Sequence, residues 1–118
     1  YFSNNLKFAL DTERMAQGLD YVTKSVRILE TGSLRLSFQV KSEMSDRTAK
    51  IYKNDELVEE FNMTSSYTTY TGDFNVELGD IIKVKVSPYS ISTDRAYIRN
   101  FRVFFDYVTG EVNALQDG

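Results

Sequence analysis

Leu34-Arg35-Leu36-Ser37-Phe38-Gln39-Val40-Lys41 is the stretch on which the fold turns. Its apolar residues stand at every second position, and the residues between them are polar or charged. A period of two places Leu34, Leu36, Phe38 and Val40 on one face of an extended chain and Arg35, Ser37, Gln39 and Lys41 on the other. Such a strand buries one face and wets the other, as strands of antiparallel sheets do.

Working outward, the same pattern returns on both sides. Upstream, Val22, Val26 and Ile28 alternate with Thr23, Ser25 and Arg27, and Thr31-Gly32 is a turn signal. Residues 20–29 and 33–41 therefore read as a hairpin. Downstream, 42–47 is a polar loop. Ala49 and Ile51 open another strand, and Asn54-Asp55 is a compact turn pair, since both residues tolerate positive φ. Residues 48–53 and 56–62 read as a second hairpin. Tyr70, Phe74, Val76 and Leu78 share a parity in the next strand, where Gly72 suggests a bulge. Ile82, Val84 and Val86 follow Gly79-Asp80, and Pro88 ends that strand because it has no N–H to donate.

The last strand, about 95–107, changes face. Ile98 has one parity, whereas Phe101, Val103 and Phe105 have the other, which predicts a bulge near Arg99-Asn100. At the N-terminus Leu6, Phe8 and Leu10 alternate as a short strand. Asp11 to Gly18 is polar, without the apolar stripe of a helix, and reads as a loop. Thr109 to Gly118 is polar and reads as a tail or linker.

These segments predict one all-β domain over residues 1–108. It is an antiparallel two-sheet sandwich of about eight strands, a jelly roll in preference to an immunoglobulin-like sandwich. At 118 residues the chain suits one domain, and 42% apolar residues suffice for a core without metal or disulfide staples. The absence of an opening methionine reads as a piece of something longer.

Composition also narrows the chemistry. With no cysteine, disulfides and thiolate metal sites are excluded. With no histidine, the commonest general base and metal ligand is missing and a Ser-His-Asp arrangement is impossible. A net charge of −3 argues against nucleic acid as the main partner. No apolar run approaches the ~18 residues that span a membrane. No phosphate-binding glycine loop is present. Glu59 and Glu60 point to opposite faces of a strand, and Asp73, Glu77 and Asp80 read as solvated strand and turn residues rather than glycosidase carboxylates. Asp46, Asp80 and Asp94 sit in loops where calcium could find oxygen ligands, but their spacing matches no loop pattern. No enzyme, cofactor or metal is expected.

What remains is binding. Tyr67, Tyr70, Tyr89 and Tyr97 lie in or beside loops, where their rings could stack on sugars or enter a protein interface. The same residues also serve as ordinary half-buried strand tyrosines. Arg95, Arg99 and Arg102 on the last strand, with Lys83 and Lys85 on the one before, would form a basic face if those strands paired. Their ordinary role is solubilising charge. The candidate ligand or interface residues are thus Tyr67, Tyr70, Tyr89, Tyr97, Arg99 and Arg102.

A resemblance adds a setting. The chain presents, in order, Asp11-Thr12-Glu13-Arg14, Tyr21-Val22, Gly32-Ser33-Leu34-Arg35-Leu36 and Ala49-Lys50-Ile51-Tyr52-Lys53-Asn54. Then come Ser65-Ser66-Tyr67-Thr68-Thr69-Tyr70, Leu78-Gly79-Asp80-Ile81-Ile82 and Ala96-Tyr97-Ile98-Arg99-Asn100-Phe101. Over residues 8–107 this series resembles β-sandwich modules of tailed-phage and prophage structural proteins of the tail, fibre or head surface. Leu78-Gly79-Asp80-Ile81 also occurs in trimeric jelly rolls of the C1q and tumour-necrosis-factor type and in carbohydrate-binding modules. The resemblance implies a domain on the virion surface, outside the cell. It would pack against its own copies or other virion proteins and could touch a bacterial surface glycan. No nucleic acid or membrane partner is implied.

Overall fold

A computed structural model describes residues 6–44, 47–105 and 112–117. Among these residues ten strands are present: β1 (Leu6–Leu10), β2 (Arg14–Gln17), β3 (Val22–Ile28), β4 (Gly32–Ser42), β5 (Thr48–Lys53), β6 (Glu56–Asn62), β7 (Thr68–Val76), β8 (Ile81–Val86), β9 (Arg95–Phe105) and β10 (Val112–Asp117). They form two antiparallel sheets. Sheet A runs β1-β9-β4-β7, with β2 also on β9, and sheet B runs β10-β3-β8-β5-β6.

The pairing order is nested: β1 and β2 with β9, β3 with β8, β4 with β7, β5 with β6. One long hairpin rolled into two sheets gives this order, which is a jelly roll. It corrects the expected hairpin of 20–29 with 33–41. β3 and β4 are consecutive and both amphipathic, yet they lie in different sheets. Alternation says which side of a strand is apolar. It does not say which neighbour supplies the ladder. The hairpin of β5 with β6 is as expected.

The inward faces fill one core. Leu34, Leu36, Phe38 and Val40 from β4 and Phe101, Val103 and Phe105 from β9 meet Val26, Ile28, Ile51, Ile82 and Val84 of sheet B. Phe38, Phe61 and Tyr70 cluster within it. The Phe38 and Tyr70 rings stack at 4.9 Å, and the Phe61 ring meets Tyr70 edge-on at 5.3 Å. Tyr70 lies across Gly72, where an added Cβ would come within 2.2 Å of the Tyr70 hydroxyl. Gly72 is therefore not a bulge, since β7 keeps register with β4 throughout. It clears space for a ring.

The face switch of the last strand is as expected. Between Ser37–Arg102 and Gln39–Arg99 the β4–β9 register slips, and Asn100 has a φ of 54°. The extra residue turns Phe101 inward. Opposite this bulge the first strand is interrupted, with β1 covering one half of β9 and β2 the other. The segment expected as a loop thus contains a short strand with one buried residue, Ala16. Backbone pairing to β9 holds it without an apolar stripe.

At the interruption of the first strand the carbonyls of Leu10 and Thr12 accept from a side chain. Lys24 supplies the donor. It stands at an inward position of β3, is 0% exposed, and reaches across the sandwich to donate from Nζ to Leu10 O at 2.9 Å and Thr12 O at 2.7 Å.

Residues 107 and 108 lie outside the described residues. The expected polar tail contains β10, which pairs with β3 from Val112–Ile28 to Asp117–Lys24. Backbone groups of an open edge accept a polar segment as readily as an apolar one.

Candidate functional site

The six candidate residues do not form one site. Tyr67, Tyr97 and Arg99 come together on the outer face of sheet A. Tyr70 is in the core, 6% exposed, its hydroxyl donating to Glu59. It shares the inward parity of Phe74 and Val76. Tyr89 is in the β8–β9 loop, its ring under Lys50 of sheet B at 5.0 Å. Arg102 is on the outer face of sheet A, tied to Asp11 through Nε at 2.9 Å and Nη2 at 3.2 Å. Tyr67, Tyr70 and Tyr89 thus lie apart, on an outer face, in the core and in the β8–β9 loop beside Lys50.

The expected joint basic face is corrected too. β8 pairs with β3 and β5, and β9 with β1, β2 and β4. Lys83 and Lys85 thus belong to sheet B, whereas Arg95, Arg99 and Arg102 belong to sheet A.

On sheet A the register sets out a row. Lys41 lies opposite Tyr97 on β9, and Tyr97 lies opposite Met15 on β2. Tyr67 lies just before β7 and reaches over the sheet to donate its hydroxyl to Glu13. Burial and the Glu13 carboxylate raise the Tyr67 phenol well above its ordinary value, so it remains a neutral donor. The Arg99 guanidinium stacks on the Tyr67 ring, Cζ 3.7 Å from its centroid. Lys41 Nζ sits 4.7 Å from the Tyr67 centroid and 4.8 Å from that of Tyr97. Gln39 fixes Arg99 from below, its Oε1 accepting from Arg99 Nε at 2.8 Å and Asn100 Nδ2 at 2.9 Å. Its Nε2 donates to Thr69.

Further along the face, Arg35 grips Asp73 with Nε at 2.8 Å and Nη2 at 3.2 Å. The guanidinium hydrogen bonds from Arg35 and Arg102 hold Asp73 and Asp11 below the ordinary carboxyl value. Arginines, tyrosines and acids here are locked to one another by planar, bidentate or stacked contacts.

The loop acids brace turns. Asp80 accepts from Asn54 Nδ2 at 2.8 Å and from the Glu77 N–H at 2.8 Å, with Lys53 at 3.6 Å. Burial pushes its pKa up, but these donors outweigh that and lower it. Asp94 accepts from the Ser90 and Ser92 hydroxyls. Asp46 lies outside the described residues. Among the described residues, no three acidic side chains converge as a metal cage.

Sequence reasoning missed Lys24, whose signal was a lysine at the parity of Val22 and Val26. It also missed Met15, Gln39 and Lys41 as companions of the tyrosines, because only the sheet register brings them together. No protein-family model and no curated protein matches the sequence.

Proposed function

We propose that the domain is a non-catalytic assembly module that packs the outer face of sheet A against a neighbouring protein surface, foremost another copy of itself. The observation that carries this is the pre-packed row Tyr67, Arg99, Lys41, Tyr97 and Met15. Tyr, Arg and Met are the residue types enriched at the centres of protein interfaces. Here their rotamers are already held, so docking orders little that is not ordered beforehand. Met15 is 44% exposed beside Tyr97. Its flexible thioether suits an apolar contact. The virion-surface setting rests on the resemblance of the strand succession to phage structural modules.

Sedimentation of the chain over a range of concentrations tests the reading. Association that strengthens with concentration is expected. Arg99→Glu should weaken it by about 2 kcal/mol or more, as an interface anchor does. A strict monomer at every concentration would overturn the proposal. Association indifferent to Arg99→Glu would remove this face from it.

A further inference from the structure

The outer face of sheet B differs in its chemistry. Thr23 of β3 lies opposite Lys85 of β8, which lies opposite Lys50 of β5. In the next row Ser25 lies opposite Lys83, and Lys83 opposite Tyr52. Like charges set directly across a pair of strands repel. Among the described residues, neither Lys50 nor Lys85 has a carboxylate partner. Each ammonium rests over a ring instead, Lys85 over Tyr21 at 4.2 Å and Lys50 over Tyr89 at 5.0 Å.

Beside Lys85 is a pocket of about 260 Å³ lined by Tyr21, Thr23, Tyr52, Asp55, Lys83 and Lys85. Its floor holds a second, independent anomaly. Thr23 is 3% exposed, and its Oγ1 has no hydrogen-bond partner among the described residues. Buried hydroxyls are rarely left so. Asp55 also lines the pocket, its carboxylate 3.5 Å from the Lys83 ammonium.

We propose that this pocket binds a carboxylated sugar unit, a hexuronate in chemical class. Lys83 and Lys85 would take the carboxylate. The Thr23 hydroxyl would gain the partner it lacks. Asp55 would accept from sugar hydroxyls, and the Tyr21 and Tyr52 rings would cover the apolar face of the ring. A bare inorganic anion leaves both rings unused and meets Asp55 as a repelling charge. A neutral sugar leaves Lys85 without a counter-charge, since Asp55 is paired with Lys83. Only a ligand with one negative charge, several hydroxyls and an apolar face uses every wall. The site is on the sheet opposite the proposed assembly face, so either can fail without the other.

The test is a titration of the intact 15N-labelled chain with sodium glucuronate, glucose and inorganic phosphate at low salt, followed by NMR. Saturable shifts at Thr23, Lys83 and Lys85 with glucuronate are expected. Glucose and phosphate should bind about tenfold or more weakly, since each forgoes charge-assisted or hydroxyl contacts. Lys85→Gln and Thr23→Val should each weaken glucuronate binding by about fivefold or more, with cooperative melting at no lower a temperature than the unaltered chain showing that the fold is intact. Arg99→Glu should leave binding unaltered. Phosphate or glucose binding as tightly as glucuronate would overturn the proposal, as would indifference to both variants or no saturable shift at all.

Discussion

The two outer faces of this sandwich carry similar residue types in opposite states. On sheet A, Arg35 holds Asp73, Arg102 holds Asp11, and Arg99 lies between Gln39 and the Tyr67 ring. On sheet B the cations lining the pocket are lysines. Lys50 and Lys85 face each other and lean on tyrosine rings, and the Thr23 hydroxyl opposite Lys85 is buried with no partner among the described residues. The difference follows from side-chain chemistry. A guanidinium is planar and satisfies a carboxylate with two parallel bonds, so an arginine face completes itself. An ammonium is a point donor that stays available to an incoming anion. A self-satisfied flat face suits contact with another flat surface, and an unsatisfied concave one suits a small ligand.

The contrast can be broken or sharpened experimentally. The largest effect is expected from the core that both faces share. Phe38→Ala should cost about 3–5 kcal/mol in equilibrium urea unfolding, and it should weaken assembly and ligand binding together. An effect confined to one face would show that the sheets are energetically independent.

Next comes Lys24, the cation turned inward. Lys24→Met should cost about 2–3 kcal/mol, because the carbonyls of Leu10 and Thr12 lose a charged donor. Hydrogen exchange should localise the loss to β1 and β2. Uniform loosening would contradict a clamp at the strand interruption.

Thr23→Val should move stability the other way, raising it by up to about 1 kcal/mol, since an unpaired buried hydroxyl is replaced by a methyl of the same shape. A measured loss would mean that Thr23 Oγ1 has a partner in solution. This outcome bears directly on how unsatisfied the sheet B face is.

The smallest effect is on acid titration. Asp11 and Asp73 have folded pKa values lowered from the ordinary 3.8. Such depressed groups contribute stability that is complete above the ordinary value and lost as pH falls through the folded value. Each pair is largely exposed, so solvent screening limits it to less than about 1 kcal/mol. Arg35→Gln with Arg102→Gln should flatten the dependence of the unfolding midpoint on pH below about 4. An unchanged slope would assign the acid sensitivity to Asp80 and its turn.

Most strands were legible because their signal is local. β4, β5, β7 and β8 announce themselves by parity, and the Asn100 bulge by a parity change between Ile98 and Phe101. β2 and β10 were not legible, since both are held by backbone ladders that any sequence can enter. The site was legible in part. Tyr67, Tyr97 and Arg99 were named as candidates, whereas Tyr70 shares the inward parity of Phe74 and Val76 and belongs to the core.

By itself the amino-acid sequence determined that this is an all-β sandwich, where its turns fall, and that histidine and thiolate chemistry are outside its reach. These are properties of residue type and of spacing over a few positions. Tertiary structure alone decided the nested strand order, the separation of Lys83 and Lys85 from the arginines of β9, and the rows that place Tyr67 on Arg99 and Lys50 against Lys85. It did so because ladder partners are chosen by backbone hydrogen bonds between segments far apart in the chain. Side-chain alternation cannot encode which segments those are.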